Sequence, residues 1–130
     1  GLGIAKGAFE IARKYMMERQ QFGKPIAKQQ YLAFKMAELQ TKIQAAELLL
    51  YKAAVDKEEG RPYTVSAAMA KMTCTNVAME VTTEAVQMLG GNGYMKDYHV
   101  ERLMLDAKIT QIYEGTNEIQ KLVISGQLFR

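Results

Sequence analysis

Tyr113-Glu114-Gly115-Thr116-Asn117-Glu118 sets a carboxylate beside a glycine just ahead of a helical pattern. Glu114 there can serve as a general base beside a pocket, with Gly115 leaving a substrate room and the helix N-terminus offering N–H groups to a phosphate. It can equally be a capping group that answers the helix dipole. Arg19-Gln20-Gln21-Phe22-Gly23, followed by Gln30, poses a similar choice. An arginine at a helix C-terminus suits the dipole. Its fixed fork of donors also suits a pyrophosphate, and Phe22 offers a packing face to an aromatic heterocycle. In Gln87-Met88-Leu89-Gly90-Gly91-Asn92-Gly93-Tyr94 the glycines read as a helix stop and turn, or as backbone that a ligand can approach closely. They are not a dinucleotide fingerprint, because a helix precedes them and no strand–turn–helix follows.

Other reactive types point to blander roles. His99, near Asp97, Glu101 and Asp106, has no second His or Cys at ligand spacing, so a surface loop is expected and a metal site is not. Cys74 falls mid-helix and reads as a small core residue; alone, it forms no internal disulfide and fits a reducing compartment. The net charge of +3 is scattered, with no basic run interleaved with aromatics, so nucleic acid is not an expected partner. No apolar run reaches the roughly 18 residues of a membrane span, and no membrane contact is expected.

These groups need helices to hold them. Leu2, Ala5, Phe9, Ala12 and Met16 share one helical face, and that helix ends near Arg19 or Gln20. Residues 21–28 form a connector in which Pro25 keeps Lys24 out of the α region. Leu32, Met36, Leu39, Ile43, Ala46, Leu50 and Ala53 then repeat as a bundle seam, which stops at the charged run 56–59 and Gly60. Thr64 is the predicted N-cap of a third long helix, with Val65, Met69, Met72, Met79 and Val86 on its buried face. A shorter helix is predicted over 100–108, a non-helical stretch over 109–114, and a last helix from about Gly115-Thr116 to Gln127. The expected fold is all-α, an antiparallel up-down four-helix bundle with an extra short helix. The pattern is already helical at Gly1-Leu2-Gly3-Ile4-Ala5, with no initiator Met and no N-cap, so the chain is expected to be one segment of a longer polypeptide.

Taken together and in order, Arg19-x-x-Phe22-Gly23-x-Pro25-Ile26, Gln30, Gln87-x-x-Gly90-Gly91-x-Gly93-Tyr94 and Ile112-Tyr113-Glu114-Gly115-Thr116-Asn117-Glu118-Ile119-Gln120 resemble the acyl-CoA dehydrogenase family. The resemblance covers essentially all of residues 1–130 and is to that family's C-terminal helical domain. It implies an N-terminal helical domain and a middle β domain outside this chain, and assembly as a homo-oligomer, dimer or tetramer. It implies FAD as cofactor, an acyl-CoA substrate taken to trans-2-enoyl-CoA, and electron-transfer flavoprotein as partner.

By motif, the resemblance makes Glu114 the catalytic base, with Tyr113 and Gly115 against the substrate. It makes Arg19, Gln21, Phe22 and Gln30 contacts to the FAD diphosphate and adenosine. Gln87, Met88, Leu89, Gly90 and Gly91 resemble a flavin-binding stretch reached across a dimer interface, and Thr116, Asn117 and Glu118 the remaining flavin contacts. A Glu at position 114 favours short- or medium-chain straight substrates, or a glutaryl-type relative. An acyl-CoA oxidase-type flavoenzyme and a non-catalytic helical interaction domain are the alternatives. The expected location is bacterial cytoplasm, or the mitochondrial matrix in a eukaryote.

Overall fold

The structure, a computed structural model, describes residues 1–130. Five α-helices carry the fold: α1 (Leu2–Glu18), α2 (Gln30–Glu58), α3 (Thr64–Leu89), α4 (Val100–Thr110) and α5 (Asn117–Leu128). Between α1 and α2 the connector holds a two-stranded hairpin, β1 (Gln20–Gln21) and β2 (Lys24–Pro25), paired antiparallel as Gln20↔Pro25 and Gln21↔Lys24. No strand was expected there. Phe22 and Gly23 both have positive φ, 54° and 76°, the pattern a two-residue hairpin turn requires.

Side-chain links fix the helix directions. Lys42–Glu80 at 2.6 Å, Lys35–Glu84 at 3.4 Å and Cys74 Sγ to the Ala46 carbonyl at 3.5 Å show α2 and α3 antiparallel. Lys6 pairs with Glu47, while the Tyr15 hydroxyl accepts from Asn92 Nδ2 and Gly1 lies against Cys74. So α1 runs antiparallel to α2 and parallel to α3, the expected up-down order. Helix α3 is the hub, packed against all four other helices; α4 also packs on α1, whereas α5 rests mainly on α3.

The core follows from that arrangement. Ala5, Ala8 and Ala12 are fully buried and let the α1 backbone come close to its neighbours. Leu39, Ile43 and Val81 supply bulk, each gaining about 1.5–3 kcal/mol from burial. Every fully buried side-chain nitrogen and oxygen has a hydrogen-bond partner.

Three local expectations need correction. The buried set of α3 is Ala68, Ala70, Cys74, Thr75, Val77, Ala78, Val81, Thr82, Ala85, Met88 and Leu89, while Val65, Met69, Met72, Met79 and Val86 are only half-buried. With four neighbours, α3 turns mainly small residues inward on several sides, and Met69, Met72 and Met79 lie on the flanks. Thr64 is the first helical residue, with Tyr63 at the N-cap and no side-chain cap bond. In the α2 seam Leu39, Ile43, Ala46 and Ala53 are buried, but Leu32 and Met36 are half-buried and Leu50 is 41 % exposed, on a cleft wall.

Candidate active site

Glu114 sits in the reversal between α4 and α5. Tyr113 N–H still donates to the Ile109 carbonyl, closing α4; then Glu114 (φ 55°) and Gly115 (φ 84°) turn the chain left-handed. Thr116 restarts a helix as N-cap, its hydroxyl accepting from Ile119 N–H at 3.4 Å. A left-handed residue other than glycine is strained and persists only where the surroundings hold it.

Here α3 does the holding. Lys71 Nζ donates to the Gly115 carbonyl at 2.8 Å and to Asn117 Oδ1 at 2.9 Å. Asn117 Nδ2 donates to Thr75 Oγ1 and to Asn76 Oδ1, both at 2.9 Å, and Gln111 Nε2 donates to Asn76 Oδ1 at 2.8 Å. The turn is thus stitched to α3 on both flanks.

Tyr113 and Glu114 stand on the wall of the largest cleft, an open space of about 710 Å³ between the start of α1, the end of α2 and the start of α3. Its walls are mostly apolar, with Leu2, Leu50, Ala53 and Ala70, and Lys71 and Thr75 add polar groups. Burial pushes the Lys71 ammonium below its ordinary value, while Glu118 and Glu114 pull it partly back. Lys71 makes no ion pair with Glu114. Its donors go to a peptide carbonyl and an amide, which leaves the carboxylate free. The Glu114 backbone N–H likewise donates to no other backbone group.

A second cleft, about 340 Å³, brings two separate stretches of sequence together: Arg19, Gln21 and Ile26 face Gln87, Gly90, Gly91 and Asn92 across it. Tyr15 closes one side, its hydroxyl 2.9 Å from Asn92 Nδ2 and its ring edge-on to Tyr98. Met88 and Leu89 line this cleft too, but their side chains are buried members of the core. Gly93 is fixed by packing, since a Cβ there would lie 2.5 Å from the Val86 carbonyl oxygen.

A third, small pocket of about 150 Å³ gathers Thr116, Asn117 and Glu118 with Asn76, Lys108 and Lys121. Glu118's carboxyl is held below the usual range, first by its own backbone N–H and then by the Thr116 hydroxyl, with Lys121 and Lys108 adding.

Residues 1–129 match the acyl-CoA dehydrogenase C-terminal domain. The chain belongs to the acyl-CoA dehydrogenase family. A short-chain-specific acyl-CoA dehydrogenase from Clostridium acetobutylicum is 62 % identical over 129 residues, 99 % of this chain and 34 % of that protein. The butyryl-CoA dehydrogenase structure from Megasphaera elsdenii superposes with TM-score 0.98 at 56 % identity, again over 99 % of this chain and 34 % of that one. A chain in the solved structure named for the electron transferring flavoprotein of Acidaminococcus fermentans and flavin-based electron bifurcation matches with TM-score 0.98 at 57 % identity, over 99 % of this chain and 34 % of that chain. The chain spans about a third of the length of these relatives.

Within this acyl-CoA dehydrogenase domain the expected residues divide among sites. Arg19, Gln21 and the stretch 87–91 share the second cleft, Tyr113 and Glu114 the large one, and Thr116, Asn117 and Glu118 the small pocket. Phe22 stands 89 % exposed at the hairpin tip, and Gln30 is exposed at the start of α2; neither lines a cleft with the others. Asn117 departs furthest from expectation: it is buried, and its amide is occupied by Lys71, Thr75 and Asn76. Tyr15, Lys71 and Asn76 are not among the expected site residues, and Asn92 enters only as part of the glycine stretch. The one local signal for Lys71 is a lone cation in the apolar run 65–72.

Proposed function

We propose that this chain is the C-terminal helical domain of an FAD-dependent dehydrogenase that converts a short, straight-chain acyl-CoA to its trans-2-enoyl-CoA, with Glu114 as the base. The reading rests on the Glu114 carboxylate, unpaired and carried on a pinned turn at the wall of an apolar cleft. Short chain length is supported by the names of the C. acetobutylicum and M. elsdenii relatives. Electron-transfer flavoprotein as acceptor is supported by the A. fermentans structure.

The donors present fit the cofactor. Around the second cleft a guanidinium, two glutamines, an asparagine and two glycines suit a diphosphate: Arg19 supplies charge and paired donors, and Gly90 and Gly91 leave the backbone open. Phe22, free of packing, offers a ring to an aromatic base. When bound, the flavin supplies acceptance of the hydride that leaves Cβ.

Glu114 performs the other half. Its carboxylate takes the α-proton, and the C–H electron pair becomes the new Cα–Cβ double bond as the β-hydrogen departs with its pair. A carboxylate of pKa near 4.3 in water is too weak for an ordinary thioester α-proton. An acyl chain filling the cleft excludes water from around Glu114, so the carboxylate meets the α-proton without its hydration shell. The free Glu114 N–H can donate to the thioester carbonyl, which acidifies that proton.

The test is Glu114→Gln in the full-length protein. Flavin content should be unchanged, bleaching by butyryl-CoA without oxygen should disappear, and kcat should fall by about 10²–10⁴-fold. Near-normal turnover would remove Glu114 as the base. Butyryl-CoA should also be turned over faster than octanoyl-CoA, and the reverse order would overturn the short-chain reading.

A further inference from the structure

We propose that Lys71 is a positioning residue for the reaction, holding the turn that presents Glu114 to the large cleft. The inference rests on the reading of Glu114 as the base and goes beyond it. Glu114 and Gly115 are successive left-handed residues between two helices, a conformation that local sequence does not enforce by itself. Two groups reach the Gly115 carbonyl: Lys71 Nζ at 2.8 Å and Gln120 Nε2 at 3.1 Å. Gln120 lies on α5, the helix that the turn itself leads into, five residues along the chain from Gly115. Lys71 lies on α3, the helix packed against all the others, and ties the turn to the body of the domain.

The second Lys71 bond, to Asn117 Oδ1, joins it to a chain of polar groups running through Thr75 and Asn76 to Gln111. Both ends of the turn are therefore referenced to one face of α3. Lys71 also lines the cleft that Glu114 faces, so an error in its reach appears directly as an error in where the carboxylate sits. A lysine performs this task without disarming the base, because it donates to neighbours of Glu114 and makes no ion pair with the carboxylate.

The experiment uses the full-length holoprotein with Lys71→Met, Glu114→Gln and the double variant, and butyryl-CoA as substrate. Lys71→Met should lower kcat by about 10- to 100-fold, the scale expected when a reacting group is displaced by about an ångström. KM and bound FAD should change less than about twofold. On the Glu114→Gln background the same change should cost less than about twofold further, because there is no base left to misplace.

Wild-type kcat in Lys71→Met would overturn the proposal. So would equal losses on both backgrounds with loss of FAD, which mark a purely structural stitch. Turnover retained by Glu114→Gln alone would instead sink the base assignment and the inference with it, and the single variant reports that separately. If Lys71→Met does not accumulate as folded protein, Asn117→Ala releases the far flank of the same turn. The same split is expected from it, and an unchanged kcat there is equally fatal.

Discussion

At Glu114 the backbone and the side chain make opposite demands. A left-handed backbone costs a non-glycine residue about 1–2 kcal/mol, and glycine would adopt φ 55° freely. The proposed chemistry needs the carboxylate, so the strain is retained and the α3 network holds it in place. Glu114→Gly in the full-length protein should therefore abolish turnover while leaving the thermal unfolding midpoint unchanged or raised. The relief of strain offsets the roughly 0.5–1 kcal/mol of extra freedom that glycine gains when unfolded. A midpoint lowered by several degrees would show that the carboxylate supports the fold and is not merely tolerated by it. Phe22 repeats the pattern at the hairpin tip, where a strained backbone holds a large apolar ring out from the domain.

At the scale of elements, the junction of α2 and α3 turns on Asp56. Only 3 % exposed, it accepts from Lys52 at 2.6 Å and from Arg61 at 3.0 Å, and these partners hold its carboxyl down at about 2 from an ordinary value of 3.8. The folded form thus binds its proton less readily than the unfolded one. The resulting stabilisation is complete above about pH 4 and is lost as the pH falls through about 2. Asp56→Asn should lower the unfolding midpoint at pH 7 and flatten its decline between pH 4 and pH 2. A thermal series in which the variant follows the wild-type profile would contradict this account.

The sequence revealed that α2 stops here, because Gly60 and Pro62 are backbone signals. It could not reveal which charge in the run 56–59 is buried, since that depends on Arg61 beyond the turn. Much the same holds elsewhere. The one-sided pattern of α1 was legible, whereas the single face read for α3 was misplaced, because α3 is surrounded by neighbours and buries its small residues instead. The motifs carrying Arg19, Gln87 and Glu114 stood out by residue type. The bonds Lys71–Gly115 and Asn92–Tyr15 join residues 44 and 77 positions apart and leave no local trace.

For the whole molecule, a domain that spans 34 % of its relatives presents both principal clefts open. Leu122, Leu128 and Phe129 are exposed on and just beyond α5. The proposed reaction needs water excluded around Glu114, and nothing in these 130 residues covers it. The isolated chain should bind FAD weakly and give no turnover; a flavin spectrum bleached by butyryl-CoA from this piece alone would contradict that. Helix α3 adds a quantitative constraint. Lys71 marks one cleft and Gln87 the other, and at about 1.5 Å per residue they stand about 24 Å apart along a single rod. That rod is a ruler: one molecule touching both marks on the same copy must be stretched to such a length, and anything more compact reaches only one of them.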